Sequence, residues 1–312
     1  MEYHELCEGL RGVAFTTPTP FGEDGKAVRH DELKRTATYL EDSGARVLIP
    51  CGNTGEYYSL STEEREAIVE STVEAVGEGV SVVGGVGGST KTATRLLAAY
   101  EAAGADGAMV MHPVHTYMHH RGIVKYYRTL LESTDLGIVL YKRGPELTLE
   151  HIADLVEYEN VVGVKYAVND IKEFSKAVTS TDGDVVWSNG IAERFAPSFA
   201  IEGAEGYTTG IGNFLPEETL ELMDAIRSEE WSRAVALRNL LRPYEDLREE
   251  TGENSTLAAA NNVPVVKYGM ELAGQYGGPV REPLVELSEQ DKGRAEQYYE
   301  RVKTAEPYAA DD

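Results

Sequence analysis

The stretch VSVVGGVGGSTKTATRLLAAYEAAGADGAMVMHP, residues 80–113, contains one complete structural unit. It opens with an apolar, β-branched run, VSVVGGV (80–86), and closes with a second, GAMVMHP (107–113). Between them Leu96, Leu97, Tyr100 and Ala103 fall on one face of an α-helix. The GADGA segment puts a glycine after the helix and just before the next strand, where a C-cap belongs. Neither run alternates apolar with polar residues, which suits a parallel strand covered on both faces. The spacing between them is long enough for a crossover helix.

The same unit recurs in both directions. GVAFTT (12–17) and RVLIPC (46–51) precede it; GIVLYK (137–142), VVGVKYA (161–167), DVVWSNG (184–190) and GYTTG (206–210) follow. Amphipathic stretches, such as that carrying Ile152, Leu155 and Val156, lie between them, and successive runs begin 22 to 34 residues apart. Eight strand–helix units within residues 1–230 specify an α/β fold, a (β/α)8 TIM barrel, better than an open doubly wound sheet. Residues 231–312 are expected to form a C-terminal helical part packed on the barrel. There PEETLELMDAIRSEEWSRAVALRNLLRPYEDLREE (216–250) and the tail from Asn254 to Ala305 read as helices, with Pro243 and the GENS turn as separators.

Composition narrows the function. The 312 residues carry 53 acidic against 29 basic side chains, a formal charge of −24. That balance argues against a nucleic-acid surface, which needs clustered Lys and Arg, and against an anionic membrane. The acids are spread along helical segments such as STEEREAIVESTVEAVGEG (61–79), which reads as a solvated coat suited to a high-salt cytoplasm. No apolar run approaches the roughly 20 residues of a membrane span. MEYHELCEGLRG (1–12) lacks a signal-peptide core, so a cytoplasmic location is expected. Cys7 and Cys51 have neither metal-type nor disulfide-framework spacing.

In such barrels chemistry sits at the C-terminal ends of the strands. Those ends carry Thr16 and Thr17, the CGNTGE loop (51–56), His112, Tyr141, Lys165, Asn189 with Gly190, and Thr208 with Thr209. Lys165, one of eleven lysines, stands inside the apolar run VVGVKYA. A buried ammonium either finds a carboxylate or loses its proton, and uncharged it is a nucleophile. A neutral Lys165 attacks a ketone to form an imine. Tyr141 is then either a proton relay or ordinary barrel packing. The glycine-, asparagine- and threonine-bearing loop suits a carboxylate beside the ketone. A 2-keto acid satisfies all three.

With these motifs in view, the chain resembles the dihydrodipicolinate synthase and N-acetylneuraminate lyase superfamily of lysine-dependent aldolases and dehydratases. The resemblance rests on TPTPFGEDG (17–25), GNTGEYYSL (52–60), GVGGSTKTATRLLAAYEAAGADGAMVM (85–111), VLYKR (139–143), VVGVKYA, GNFLPEETLEL (212–222) and VKYGMELAGQYGGPVREPL (266–284), in register along nearly the whole chain. It implies Lys165 as the Schiff-base lysine and Tyr141 as the relay. It also implies that Asn53, Thr54 and Gly55 form the loop that binds the pyruvyl carboxylate, with Gly190 and Thr208 on the far wall. No cofactor and no metal are implied, and a homotetramer built from tight dimers is.

Departures from the family pattern bear on the substrate. Members acting on aspartate semialdehyde have an arginine where this chain has Glu146 and a tyrosine where it has His115. Tyr141-Lys142-Arg143 and NFLPE look more like the branch that dehydrates 2-keto-3-deoxy sugar acids. The alternatives, in falling order, are an aldolase releasing pyruvate from the same imine, a dihydrodipicolinate synthase or N-acetylneuraminate lyase, and a catalytically silent barrel that only binds a keto acid. Arg143 either binds a distal carboxylate or pairs with a surface glutamate, and His115 is expected to contact substrate or a partner subunit. His112, His115, His119 and His120 lack the spacing of a zinc helix. GGVGGSTKT is not a phosphate loop, because Thr90 and not glycine precedes Lys91.

Overall fold

The computed structural model describes residues 3–181 and 184–305. Eight parallel strands close in chain order into a barrel: β1 (Val13–Thr16), β2 (Val47–Ile49), β3 (Ser81–Val86), β4 (Gly107–Met111), β5 (Gly137–Lys142), β6 (Val161–Tyr166), β7 (Val186–Asn189) and β8 (Gly206–Thr209). Each lies within the run expected of it.

The barrel helices start and stop on local chemistry. Ser61 caps α3 (Thr62–Val73) through a reciprocal box with Glu64. Ser89 caps α4 (Thr90–Ala103), and Gly104 ends it at φ 84°, a left-handed position that glycine takes without strain. The remaining barrel helices are α2 (His30–Asp42), α5 (His120–Leu131), α6 (Leu149–Leu155), α7 (Ile171–Ser180) and α8 (Ala196–Ile201). One helix precedes the barrel. α1 (His4–Leu10) lies across the strand starts, where a Cβ on Gly206 would fall 2.1 Å from the Leu10 carbonyl oxygen and one on Gly137 would fall 2.6 Å from Leu6. The N-terminal end is thereby plugged, and the opposite end is left for chemistry.

Four helices follow β8: α9 (Pro216–Arg227), α10 (Trp231–Glu249), α11 (Asn262–Leu272) and α12 (Glu289–Lys303). They build a second core on the outer side of β1, β2 and β8, in which Phe15, Leu48 and Tyr207 meet Leu222, Leu241, Tyr244 and Val266. Two expectations are corrected here. Pro243 does not separate helices but lies inside α10. Its missing N–H would have served the Asn239 carbonyl, and Arg301 of α12 donates to that oxygen instead at 3.2 Å. The tail is also less helical than expected, because residues 250–261 and 274–288 are mostly irregular. Residues 1–2, 182–183 and 306–312 of the two expected parts lie outside the described residues.

Candidate active site

Register places the two principal side chains together. In the β5–β6 pairing Tyr141 stands directly opposite Lys165, and the Lys165 ammonium nitrogen lies 4.7 Å from the centre of the Tyr141 ring. Both are buried, at the C-terminal ends of their strands.

Three buried lysines allow an internal comparison. Lys142 points out of the barrel, donates to the Leu147 and Gly144 carbonyls, and has Glu173 at 3.5 Å. Lys267 lies 2.6 Å from Glu56. Lys165 has no hydrogen-bond or ion-pair partner among the described residues. Burial therefore lowers its pKa, helped by the cations Arg143 and Arg248, from an ordinary 10.5 to about 7. Near neutrality a large fraction of this amine is unprotonated.

The loop after β2 supplies the facing groups. Asn53 donates through Nδ2 to the Tyr141 hydroxyl at 3.1 Å. Burial pushes the Tyr141 hydroxyl upward, so it remains a protonated donor that can also accept. Thr16 donates to the Thr209 carbonyl at 2.6 Å and lies 3.1 Å from Thr54 Oγ1. Asn213 of the NFLPE motif donates to the Thr16 and Gly210 carbonyls, tying the end of β1 to the end of β8. The loop is held close to the barrel, since a Cβ on Gly85 of β3 would sit 1.9 Å from the Cys51 carbonyl oxygen.

One cavity of about 480 Å³ opens at the C-terminal mouth. It brings together Asn53, Thr54, Tyr141, Arg143, Lys165, Gly190 and Thr208. Gly190 must be small there, because a Cβ would lie 2.7 Å from Ala167. Two expected residues are elsewhere. Gly55 sits behind the cavity surface, its carbonyl accepting from Thr19 at 2.7 Å. His115 is exposed on the loop between β4 and α5, its Nδ1 accepting the Tyr117 N–H at 3.0 Å, and it does not line the cavity. Arg143 has no ion-pair partner among the described residues, so the surface-glutamate alternative is not what this conformation shows. Among those residues no three His, Cys, Asp or Glu side chains gather as metal ligands. No helix among them is long and apolar enough to cross a membrane.

Another part of the wall, supplied by α10, carries no local signal in the sequence. Arg248 of α10 is buried there, donating to Glu245 at 2.7 Å and to the Asn262 side chain at 3.0 Å. It fits because residue 210 is glycine, whose Cβ would otherwise lie 2.6 Å from the guanidinium. Glu193 is fully buried beneath β8, accepting from Thr209 and Thr219. Burial, together with the neighbouring Glu245, raises its pKa. A glutamate and an arginine three residues apart on a helix look like a surface pair, and only the docking of α10 over the mouth puts them inside.

Known proteins share this architecture. The chain is 31% identical over 291 residues to a 4-hydroxy-tetrahydrodipicolinate synthase of Methanothrix thermoacetophila, covering 91% of this chain and 94% of the other. It is also 31% identical over 293 residues to a Saccharopolyspora erythraea protein named "Probable 5-dehydro-4-deoxyglucarate dehydratase", covering 92% of each. The crystal structure of dihydrodipicolinate synthase from Bacillus clausii superposes with a TM-score of 0.90 at 36% identity, covering 96% of this chain and 99% of that one. The model of the dihydrodipicolinate synthetase family matches residues 9–301, and the chain belongs to that family of lyases.

Proposed function

We propose that the protein is a Schiff-base lyase that dehydrates a 2-keto-3-deoxy sugar acid. The observation that carries this reading is Lys165, a buried amine with no counter-ion, in register with Tyr141. Lys165 adds to the C2 ketone and water leaves, giving the imine. The imine acidifies C3; loss of a C3 proton gives the enamine, whose electrons expel the C4 hydroxyl as a second water. Tyr141 carries protons to and from the reacting oxygen, a role supported by the hydrogen bond through which Asn53 orients its hydroxyl. Asn53 and Thr54 hold the carboxylate, Gly190 and Thr208 line the opposite wall, and the unpaired Arg143 receives a distal anionic or hydroxyl-bearing end. A proton then moves from C5 to C3, the C5 enol so formed becomes a ketone, and hydrolysis of the imine releases a 2,5-dioxo acid and frees Lys165.

The dehydratase is preferred to the synthase because Glu146 and His115 replace the arginine and tyrosine expected of the aspartate-semialdehyde branch; relatives with the dehydratase name and relatives with the synthase name match equally well and do not separate the two. The aldolase shares the imine and differs only in breaking C3–C4. Incubation with 2-keto-3-deoxygluconate, 2-keto-3-deoxypentonates and 5-dehydro-4-deoxyglucarate separates the readings. A dioxo product without pyruvate is expected. Pyruvate release means an aldolase, and a protein that gives no borohydride-trapped pyruvate adduct on Lys165 is not a lysine-dependent lyase. A cytoplasmic homotetramer of tight dimers completes the proposal, with His115 and the 87% exposed Tyr117 on the loop that a partner subunit would meet. Size-exclusion chromatography with light scattering checks that assembly.

A further inference from the structure

One buried ion pair joins the substrate loop to the C-terminal helices, and the chemistry above does not use it. Glu56 ends the loop that carries Asn53 and Thr54, and its carboxylate lies 2.6 Å from Lys267 of α11, with both side chains almost wholly buried. Its other oxygen accepts the backbone N–H of Arg281 at 2.8 Å. Lys267 also donates to the Pro279 carbonyl at 2.6 Å and sits 4.4 Å above the ring of the fully buried Phe21. On the other face of the loop Arg281 uses all five of its N–H donors, on the Gly25, Ser59 and Lys26 carbonyls and both oxygens of Glu64.

The backbone this clamp holds is a strained one. Cys51 and Glu56, at the two ends of the loop, have φ of 57° and 56°, the left-handed region that side-chain-bearing residues seldom occupy. Such conformations persist only where the surroundings over-determine them, and they cluster at functional sites. At one end the Cys51 carbonyl is wedged against Gly85. At the other, the Glu56–Lys267 pair is the fixed point. A buried pair is a poor source of net stability, because desolvation opposes the attraction, and its better-attested use is to select one arrangement.

We propose that Glu56 and Lys267 are positioning residues, through which the C-terminal helices hold the 51–56 loop in the shape that binds the 2-keto acid carboxylate. This rests on the proposed function in one respect, that Asn53 and Thr54 meet that carboxylate. Lys267→Met keeps the aliphatic stem and removes the charge, and Glu56→Gln neutralises the other partner with its shape kept. Arg294→Met is the control, because it breaks the Arg294–Glu250 pair between α12 and the end of α10, within the C-terminal part, without touching the loop.

The test measures pyruvate half-saturation by borohydride trapping on the full-length protein, kcat and KM, and hydrogen exchange over residues 51–60. Lys267→Met and Glu56→Gln are expected to raise pyruvate half-saturation and KM about tenfold or more, since small misplacements of positioning groups cost that much. Exchange over 51–60 should quicken, the pH midpoint of trapping should stay put, and Arg294→Met should change none of these. Unaltered saturation and exchange in both clamp variants, or an equal change in Arg294→Met, overturns the proposal. If Lys267→Met does not fold, Glu56→Gln alone decides. A wild-type protein with no adduct refutes the lyase reading, while the exchange measurement still decides the clamp.

Discussion

Replacing Lys165 by methionine should make the protein more stable while destroying its chemistry. The amine is buried without a partner, and its pKa falls from 10.5 to about 7. In the unfolded chain it titrates near 10.5, so between pH 7 and 10.5 the unfolded state holds more protons, and this residue's penalty on folding shrinks as pH rises through that window. At about 1.4 kcal/mol per unit, the wild type carries a penalty of about 5 kcal/mol at pH 6 and about 2 kcal/mol at pH 9. Methionine has similar length and no charge, so it removes that penalty. Urea unfolding of both proteins at pH 6 and pH 9 in the same salt isolates the difference, because every other titrating group cancels. The variant should gain several kcal/mol at pH 6, and the gain should shrink by more than half at pH 9. A gap that does not change with pH, or a variant less stable at pH 6, would refute the claim that the amine is held without compensation.

Tyr141→Phe keeps the ring beside Lys165 and deletes the hydroxyl that Asn53 orients. It should lower kcat by about 100- to 10,000-fold, with borohydride trapping on Lys165 retained. Steady-state rates and peptide mass mapping check this; an unchanged kcat would mean that Tyr141 serves only by packing, and loss of trapping would mean that its hydroxyl is needed to form the imine itself. Gly85→Ala brings a Cβ to 1.9 Å from the Cys51 carbonyl oxygen, where backbone must move. A loss of about 3 kcal/mol is expected in urea unfolding, together with weaker pyruvate binding. A variant as stable as wild type would show that β3 does not pin the loop.

The barrel was legible because its strands are short apolar runs in a chain otherwise rich in charge, and the interruptions are themselves informative. Lys165 stood out as one charge among valines, with Tyr141 at the corresponding end of the preceding strand. What stayed hidden depends on elements far apart in sequence. Pro243 reads as a break unless Arg301 is known to reach its orphaned carbonyl. Glu245 and Arg248 read as solvent-facing until α10 docks over the mouth. Glu56 and Lys267 both lay within recognised motifs, yet nothing local in either segment indicates that they meet. His115 is expected at the substrate or at a partner subunit, and the stretch after β4 leaves the barrel before that residue is reached, which takes it away from the cavity.

The acidic coat and the neutral lysine bear on each other. A formal charge of −24 creates a potential that favours protonated amines, whereas the cations near Lys165, Arg143 and Arg248, act against protonation. Distance decides between them. The coat acts from the surface through solvent, and its reach falls from about 10 Å at 0.1 M salt to about 3 Å at 1 M. Burial and the two arginines act inside the cavity, where screening is weak. Raising salt should therefore remove the opposing influence and keep the helping one, moving the pH midpoint of imine formation down. Trapping rates with pyruvate between pH 5 and 10, at 0.1 M and 2 M KCl, measure it directly. A lower midpoint in 2 M KCl means that an acid-rich surface couples salt to the nucleophile. An unmoved midpoint means that the coat stops at the surface, and that burial with Arg143 and Arg248 alone sets the basicity of the amine.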